Sequence, residues 1–246
     1  SGNLGGGTNW PGGGYDPETH TVFVQAANAG ISGTSLVAPP AGFSDLKYVM
    51  GVGGSPFVVS EGPGFGSAAD APRPAPEAAR PAAAAGPPPQ TNLLNVDGLP
   101  IMKPPYGVVA AINLDRGEMV WQVPHGDTPD AVRNHPALRG MNIPKTGQSV
   151  SVGLTVTRTL VIVGDGQLTN PGDRPRGAML RGYDKTSGKE VGAVWLPAPQ
   201  SGSPMTYSVE GKQYIIVAVS GGSYSGEYLA FALPDSEIRA AARPAQ

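Results

Sequence analysis

Cysteine is absent from the 246 residues. Without a thiol, the chain can build no disulfide framework, iron–sulfur site, zinc–thiolate site or thioether-linked c-type haem. Charge is sparse too: Asp, Glu, Lys and Arg make up 15% of the residues and the net charge is −2. Such a balance leaves no basic surface of the kind that holds nucleic acid. The best apolar run, Tyr214-Ile215-Ile216-Val217-Ala218-Val219, falls far short of the roughly 18 residues that a helical membrane span needs. Helical periodicity is nearly missing. The opening residues, Ser1-Gly2-Asn3-Leu4-Gly5, lack an initiating Met, a basic segment and an apolar stretch of signal-peptide type. They read as the interior of a domain belonging to a longer protein.

Turn formers are plentiful instead, with 36 glycines and 27 prolines. These residues punctuate short apolar runs, a pattern of many strands joined by turns. A motif recurs in the second half of the chain. Val108 to Asn113 is an apolar strand, Leu114-Asp115-Arg116-Gly117 a turn, and Glu118 to Trp121 the start of a second strand. Leu180 to Tyr183, Asp184 to Gly188 and Lys189-Glu190-Val191 repeat the plan about 70 residues later, set against propeller periods of roughly 40–50. Units of this kind cannot bury their own faces and must stack as blades. The fold class is therefore all-β, a partial β-propeller of about three blades.

Along the chain, a Gly-rich approach leads to a hairpin at Gly14-Tyr15-Asp16, with a turn at Pro17 to His20 and a strand from Thr21 to Ala26. Pro fixes φ there and Asp bonds the following backbone. From residue 28 to 59 the pattern is weak. Residues 66–90 hold nothing larger than Pro and Ala that could form a core, and are expected to be a disordered or polyproline-type insertion. Strands are expected at 107–114, 118–123, 152–155, 160–163, 179–184, 190–196, 205–209, 213–220 and 228–233, with a tight hairpin at Glu210-Gly211. Residues 124–146 read as a loop and 239–246 as a frayed tail. The whole of 1–246 is read as the C-terminal portion of one propeller domain, an open arc whose sheet edges need further blades.

Three stretches carry a family resemblance. They are Gly6-Gly7-Thr8-Asn9-Trp10 with Tyr15-Asp16-Pro17, Gly98-Leu99-Pro100 with residues 107–121, and Pro204-Met205-Thr206-Tyr207 with residues 211–214 and 221–234. The chain resembles the C-terminal third of the quinoprotein dehydrogenases, especially the membrane-type glucose dehydrogenase branch. That likeness implies an eight-bladed propeller with pyrroloquinoline quinone (PQQ) and calcium on its axis. It further implies a periplasmic, bacterial oxidoreductase that oxidises a sugar or alcohol and passes electrons to a membrane quinone or a cytochrome. The cofactor performs the redox chemistry while the protein orients and polarises. The family's catalytic Asp, its quinone-contacting cation and its calcium ligands lie upstream of the Asn-Trp segment. No catalytic residue or metal ligand is therefore assigned, and the isolated chain is expected to be inactive.

Of the cofactor shell, the resemblance carries over only Asn9 and Trp10. A Trp packed between blades and an Asn completing a turn is the competing reading. Asp165, in Gly164-Asp165-Gly166, and Ser223 and Tyr224, in the Gly-rich run 221–226, are candidates for a substrate cleft. An ordinary Gly-rich connection competes with that second assignment. Trp121 is expected to fill space between adjacent sheets, and the second repeat carries Gly192 at the equivalent place, with Trp195 three residues on. Asn113, Asp115 and Asp184 read as turn formers. His20, His125 and His135 lie in turns or loops without metal spacing and are expected to be solvated, as is the basic group Arg174, Arg176 and Arg181. A non-catalytic quinoprotein-like propeller serving as a protein-interaction scaffold is the alternative function, since propellers host many activities.

Overall fold

The computed structural model describes residues 7–28, 35–51, 95–221 and 223–234. The expected insertion at 66–90 and the tail at 239–246 lie outside the described residues. In chain order the strands are β1 (Gly13–Asp16), β2 (Thr21–Ala27), β3 (Ser35–Val37), β4 (Val49–Gly51), β5 (Asn95–Val96), β6 (Leu99–Pro100), β7 (Gly107–Asn113) and β8 (Glu118–Pro124). Two short helical turns follow, α1 (Asp130–Arg133) and a 3-10 turn at Pro136–Leu138. Then come β9 (Leu154–Val156), β10 (Leu160–Gly164), β11 (Ala178–Asp184), β12 (Glu190–Leu196), β13 (Met205–Val209), β14 (Lys212–Gly221) and β15 (Tyr224–Ala232).

The chain divides into two units, Ser32–Leu94 and the remainder. Within the first, the described residues form a short hairpin that pairs Ser35 with Gly51 and Val37 with Val49. The second unit carries the blades. Three antiparallel sheets follow in chain order: β1-β2-β7-β8, β9-β10-β11-β12 and β13-β14-β15. Each is a meander in which neighbours in sequence are neighbours in space. The exception is the β2–β7 step, into which residues 28–106 are inserted.

Two apolar seams hold the sheets face to face. Phe23, Val109 and Ala111 of the first sheet meet Val152, Leu154, Val161, Val163 and Tyr183 of the second. Ile162, Leu180 and Leu196 on the opposite face meet Val217 and Val219 of the third. Side chains alternate across a strand, so Val161 and Val163 serve one seam and Ile162 the other. Because both faces of the middle sheet are covered, β10 reads as a continuous apolar run. Buried amides stitch the seams. Gln25 donates to the Val150 carbonyl at 2.9 Å and accepts from the Val152 amide at 3.1 Å. Gln200 accepts from the Gly164 amide and donates to the Gly153 carbonyl at 2.7 Å.

Trp121 lies between sheets, as its repeat predicts. Its ring sits 5.8 Å from that of Phe23, and its Nε1–H donates to the Lys185 carbonyl at 3.1 Å. It thereby docks on the β11–β12 turn of the next blade. Gly188 in that turn has φ +71, and a Cβ there would meet the indole at 2.6 Å. Both repeats carry a bulge at the same place, and their registers pair Ala111 with Trp121 and Gly182 with Gly192. Gly192 therefore occupies the docking position of the second blade, and Trp195 is two-fifths exposed further along β12.

Register also sorts the connections by end. Short turns gather at one end, where Lys185 pairs with Asp16 at 2.7 Å and His20 with Asp115 at 2.9 Å. At the other end lie the connections 125–153, 165–177 and 197–204, together with the β14–β15 hairpin tip. His125 ties the first of these to the end of β10 by donating from Nε2 to the Gly164 carbonyl at 3.1 Å. The Gln200 amide donates to the Asp165 carbonyl at 2.9 Å, and the Ser220 amide to the Pro199 carbonyl at 3.0 Å.

Candidate functional site

All the candidate residues lie at the long-loop end. Gly7 bridges to Ala27, the last residue of β2, which places Asn9 and Trp10 beyond that end of the first sheet. Asp165 follows the end of β10, and Ser223 and Tyr224 form the β14–β15 tip, where Gly221 pairs with Tyr224. The structure therefore gathers them on one end of the blade stack. It does not bond them together: among the described residues no hydrogen bond or ion pair joins the three groups.

Asn9 closes its own turn, accepting from the Trp10 amide through Oδ1 at 2.8 Å and from the Gly12 amide through its carbonyl at 2.8 Å. Trp10 is 97% exposed, a free aromatic plane. Ser223 is exposed, and the Tyr224 hydroxyl donates to Glu227, which raises the phenol above its ordinary range.

Asp165 is different, with no accessible surface at all. Arg181, 4% exposed on β11, grips it with both arms of the fork, Nε to Oδ1 at 2.7 Å and Nη2 to Oδ2 at 2.9 Å. Nη2 also lies 2.9 Å from Asp127 Oδ1, and Nη1 donates to Glu190 at 2.9 Å. Arg174 pairs with Asp127 and Lys145 with Glu190. Three carboxylates thus face three cations, with the exposed Asp173 also 3.6 Å from Arg174, in a cage where one unpaired buried charge would be costly. Burial opposes ionisation of Asp127 and Glu190, but their cationic partners outweigh it and both carboxyls sit below their ordinary range.

His125 adjoins this cage and is 2% exposed. The expectation of a solvated histidine is corrected at this position. Its Nε2 faces a carbonyl that can only accept, so Nε2 carries the proton and Nδ1 accepts from the Tyr183 hydroxyl at 3.0 Å. Burial lowers its pKa to about 4, and the same burial pushes the Tyr183 phenol well upward. Arg181 corrects the solvated-loop reading of the basic group as well. A signal was available: a lone arginine inside an apolar strand is seldom buried unless paired.

Could these residues hold PQQ or a cation? A quinone bearing several carboxylates calls for cationic partners, and among the described residues neither Asn9 nor Trp10 is bonded to a charged side chain. Those two residues supply a stacking plane and one amide, which do not complete a site. The cage carboxylates are already matched by Arg181, Arg174 and Lys145. Among the described residues, no group of three or more His, Asp or Glu is placed to hold a metal ion.

Three stacked antiparallel blade sheets joined by a tryptophan dock define a propeller-type domain. The family model for "PQQ: Glucose/ethanol/alcohol dehydrogenase, beta-propeller domain" matches residues 1–215, and the chain belongs to that family of dehydrogenases. Among curated relatives, quinoprotein glucose dehydrogenase A of Acinetobacter calcoaceticus is 34% identical over 148 residues, 57% of this chain and 17% of that protein. A probable quinate dehydrogenase (quinone) of Xanthomonas campestris pv. juglandis is 30% identical over 153 residues, 60% of this chain and 18% of that protein. Escherichia coli (strain K12) quinoprotein glucose dehydrogenase is 30% identical over 146 residues, 56% of this chain and 17% of that protein. Among solved structures, a quinohemoprotein alcohol dehydrogenase from Pseudomonas putida HK5 aligns with 89% of this chain and 22% of that one, at 14% identity and a TM-score of 0.45. The chain thus spans less than a fifth of the length of those curated relatives.

Proposed function

We propose that this chain supplies about three blades of a PQQ-dependent dehydrogenase that oxidises a sugar or alcohol and passes electrons to a membrane quinone or a cytochrome. The reading includes a bacterial, periplasmic setting and a calcium ion held by residues of other blades. One observation carries it: blades belonging to this dehydrogenase family collect Asn9, Trp10, Asp165, Ser223 and Tyr224 at a single end. Trp10 offers a plane for stacking beside the cofactor, and the Asn9 amide a hydrogen bond. Ser223 and Tyr224 rim the substrate cleft. Asp165 works at one remove, locking Arg181 and with it the long connections around the cleft.

The outer face of the third sheet supports the need for further blades. Tyr207 and Tyr214 stack there at 5.1 Å, beside a half-exposed Met205 and a largely exposed Tyr228. Such a face suits another sheet packed in the manner of the two existing seams.

Dye reduction tests the proposal, using the full-length parent protein with and without PQQ and calcium against aldoses and primary alcohols. Activity that needs both additions supports it. A folded parent that neither binds PQQ nor reduces dye overturns it and favours the interaction scaffold. Residues 1–246 alone are expected to give no turnover.

A further inference from the structure

The connection between β8 and β9 lines an open cleft of about 580 Å³, bordered by Thr128, Arg133, Asn134, His135, Leu138, Arg139, Met141 and Ile143 among others. Nothing in the reading above uses it. Its charge can be counted residue by residue. Arg133 is held in place, with Nη2 donating to the Thr128 carbonyl at 2.6 Å and Nη1 to Asp130 at 3.0 Å. Asp130 is pinned in turn by the Asn170 amide at 3.0 Å, so this pair is neutral overall. His135 is neutral as well, because Nε2 lies 2.7 Å from the Asp97 carbonyl and must donate, while Nδ1 accepts from the Ala137 amide. Arg139 has no ion-pair partner among the described residues. One net positive charge is left on the wall.

We propose that this cleft binds a small monoanionic hydroxy-carboxylate. A guanidinium fork matches a carboxylate in two parallel hydrogen bonds. Arg139 supplies that fork, and Arg133, already oriented, adds a second donor group. The Asn134 amide can serve a hydroxyl as donor or acceptor. Leu138, Met141 and Ile143 cover the carbon skeleton. The charge count disfavours a dianion such as phosphate, which one net positive charge would leave half neutralised. A neutral sugar would leave Arg139 unused. This site stands independently of the dehydrogenase reading, since it rests on the loop alone.

Calorimetric titration of the full chain tests it, with gluconate as the monoanion, glucose as its uncharged counterpart and inorganic phosphate as the dianion. Gluconate is expected to bind saturably, and glucose at least tenfold more weakly. Loss of one charge-assisted contact corresponds to roughly tenfold or more in affinity. Arg139→Gln, at an exposed position and with its fold checked by circular dichroism, should weaken gluconate by that factor. Arg133→Gln provides a second arm. Equal binding of glucose and gluconate, tighter binding of phosphate, no binding of gluconate, or gluconate affinity unchanged in both variants would each overturn the proposal.

Discussion

At the scale of single residues, the buried polar groups decide most. His125 shows how. Unfolded, it takes up a proton below about pH 6.5; folded, only below about 4. Protons therefore favour the unfolded chain across that window, and stability should fall as the pH drops from about 6.5 towards 4, by up to about 3 kcal/mol. Asp127 and Glu190, held below their ordinary range, add a further loss in more acid solution as they too become protonated. Urea unfolding at stepped pH reads this directly, and His125→Gln should flatten the upper part of the curve. Arg181 provides a second test. Arg181→Met leaves Asp165 buried without its partner, an arrangement expected to cost about 3–5 kcal/mol. A loss near zero by chemical unfolding would show that the cage contributes little to stability. His125 did not announce its role locally, because its burial arises from the neighbouring sheet, whereas Arg181 stood out as a lone arginine inside an apolar strand.

Among elements, the tight turns were the most legible. Glu210-Gly211 joins β13 to β14 with φ +51 and φ +76, the left-handed pair that a two-residue hairpin turn requires. Gly211→Ala should lower stability by about 1 kcal/mol, the order of a Cβ forced into that region. Thermal unfolding measures it. The same chemistry sits at Asp97-Gly98, between β5 and β6, with φ +51 and φ +88. The Asp-Gly pair there is a hairpin signal of equal strength that the strand reading passed over. Strand β15 was read as starting at 228 but begins at Tyr224. The first four residues lack apolar alternation, since an exposed edge strand is held by its ladder to β14 and not by burial. Residues 124–146, read as a loop, contain two helical turns too short to leave a period. Trp121 was read correctly as a seam residue. Trp121→Ala should destabilise the blades by roughly 3–5 kcal/mol in a denaturant melt, and a negligible effect would refute its docking role.

For the whole molecule, the composition and the repeated strand–turn–strand plan were enough to imply stacked all-β blades. The physical reason is that period-2 apolar strands and Gly, Pro, Asp and Asn turns act over a few residues, and each sheet so formed must bury its faces against another. The Asn-Trp and Gly-rich segments pointed to the correct family for a similar reason: turn chemistry is written locally. Only the tertiary structure could decide what lies between the sheets. It drew Asp127, Lys145, Asp165, Arg174, Arg181 and Glu190 from four segments into one cage of paired charges and sealed His125 beside it. It also left Arg139, on the wall of the β8–β9 cleft, without an ion-pair partner among the described residues. Charge pairing and desolvation depend on distances between residues far apart in the chain, and no local pattern of residues encodes those distances.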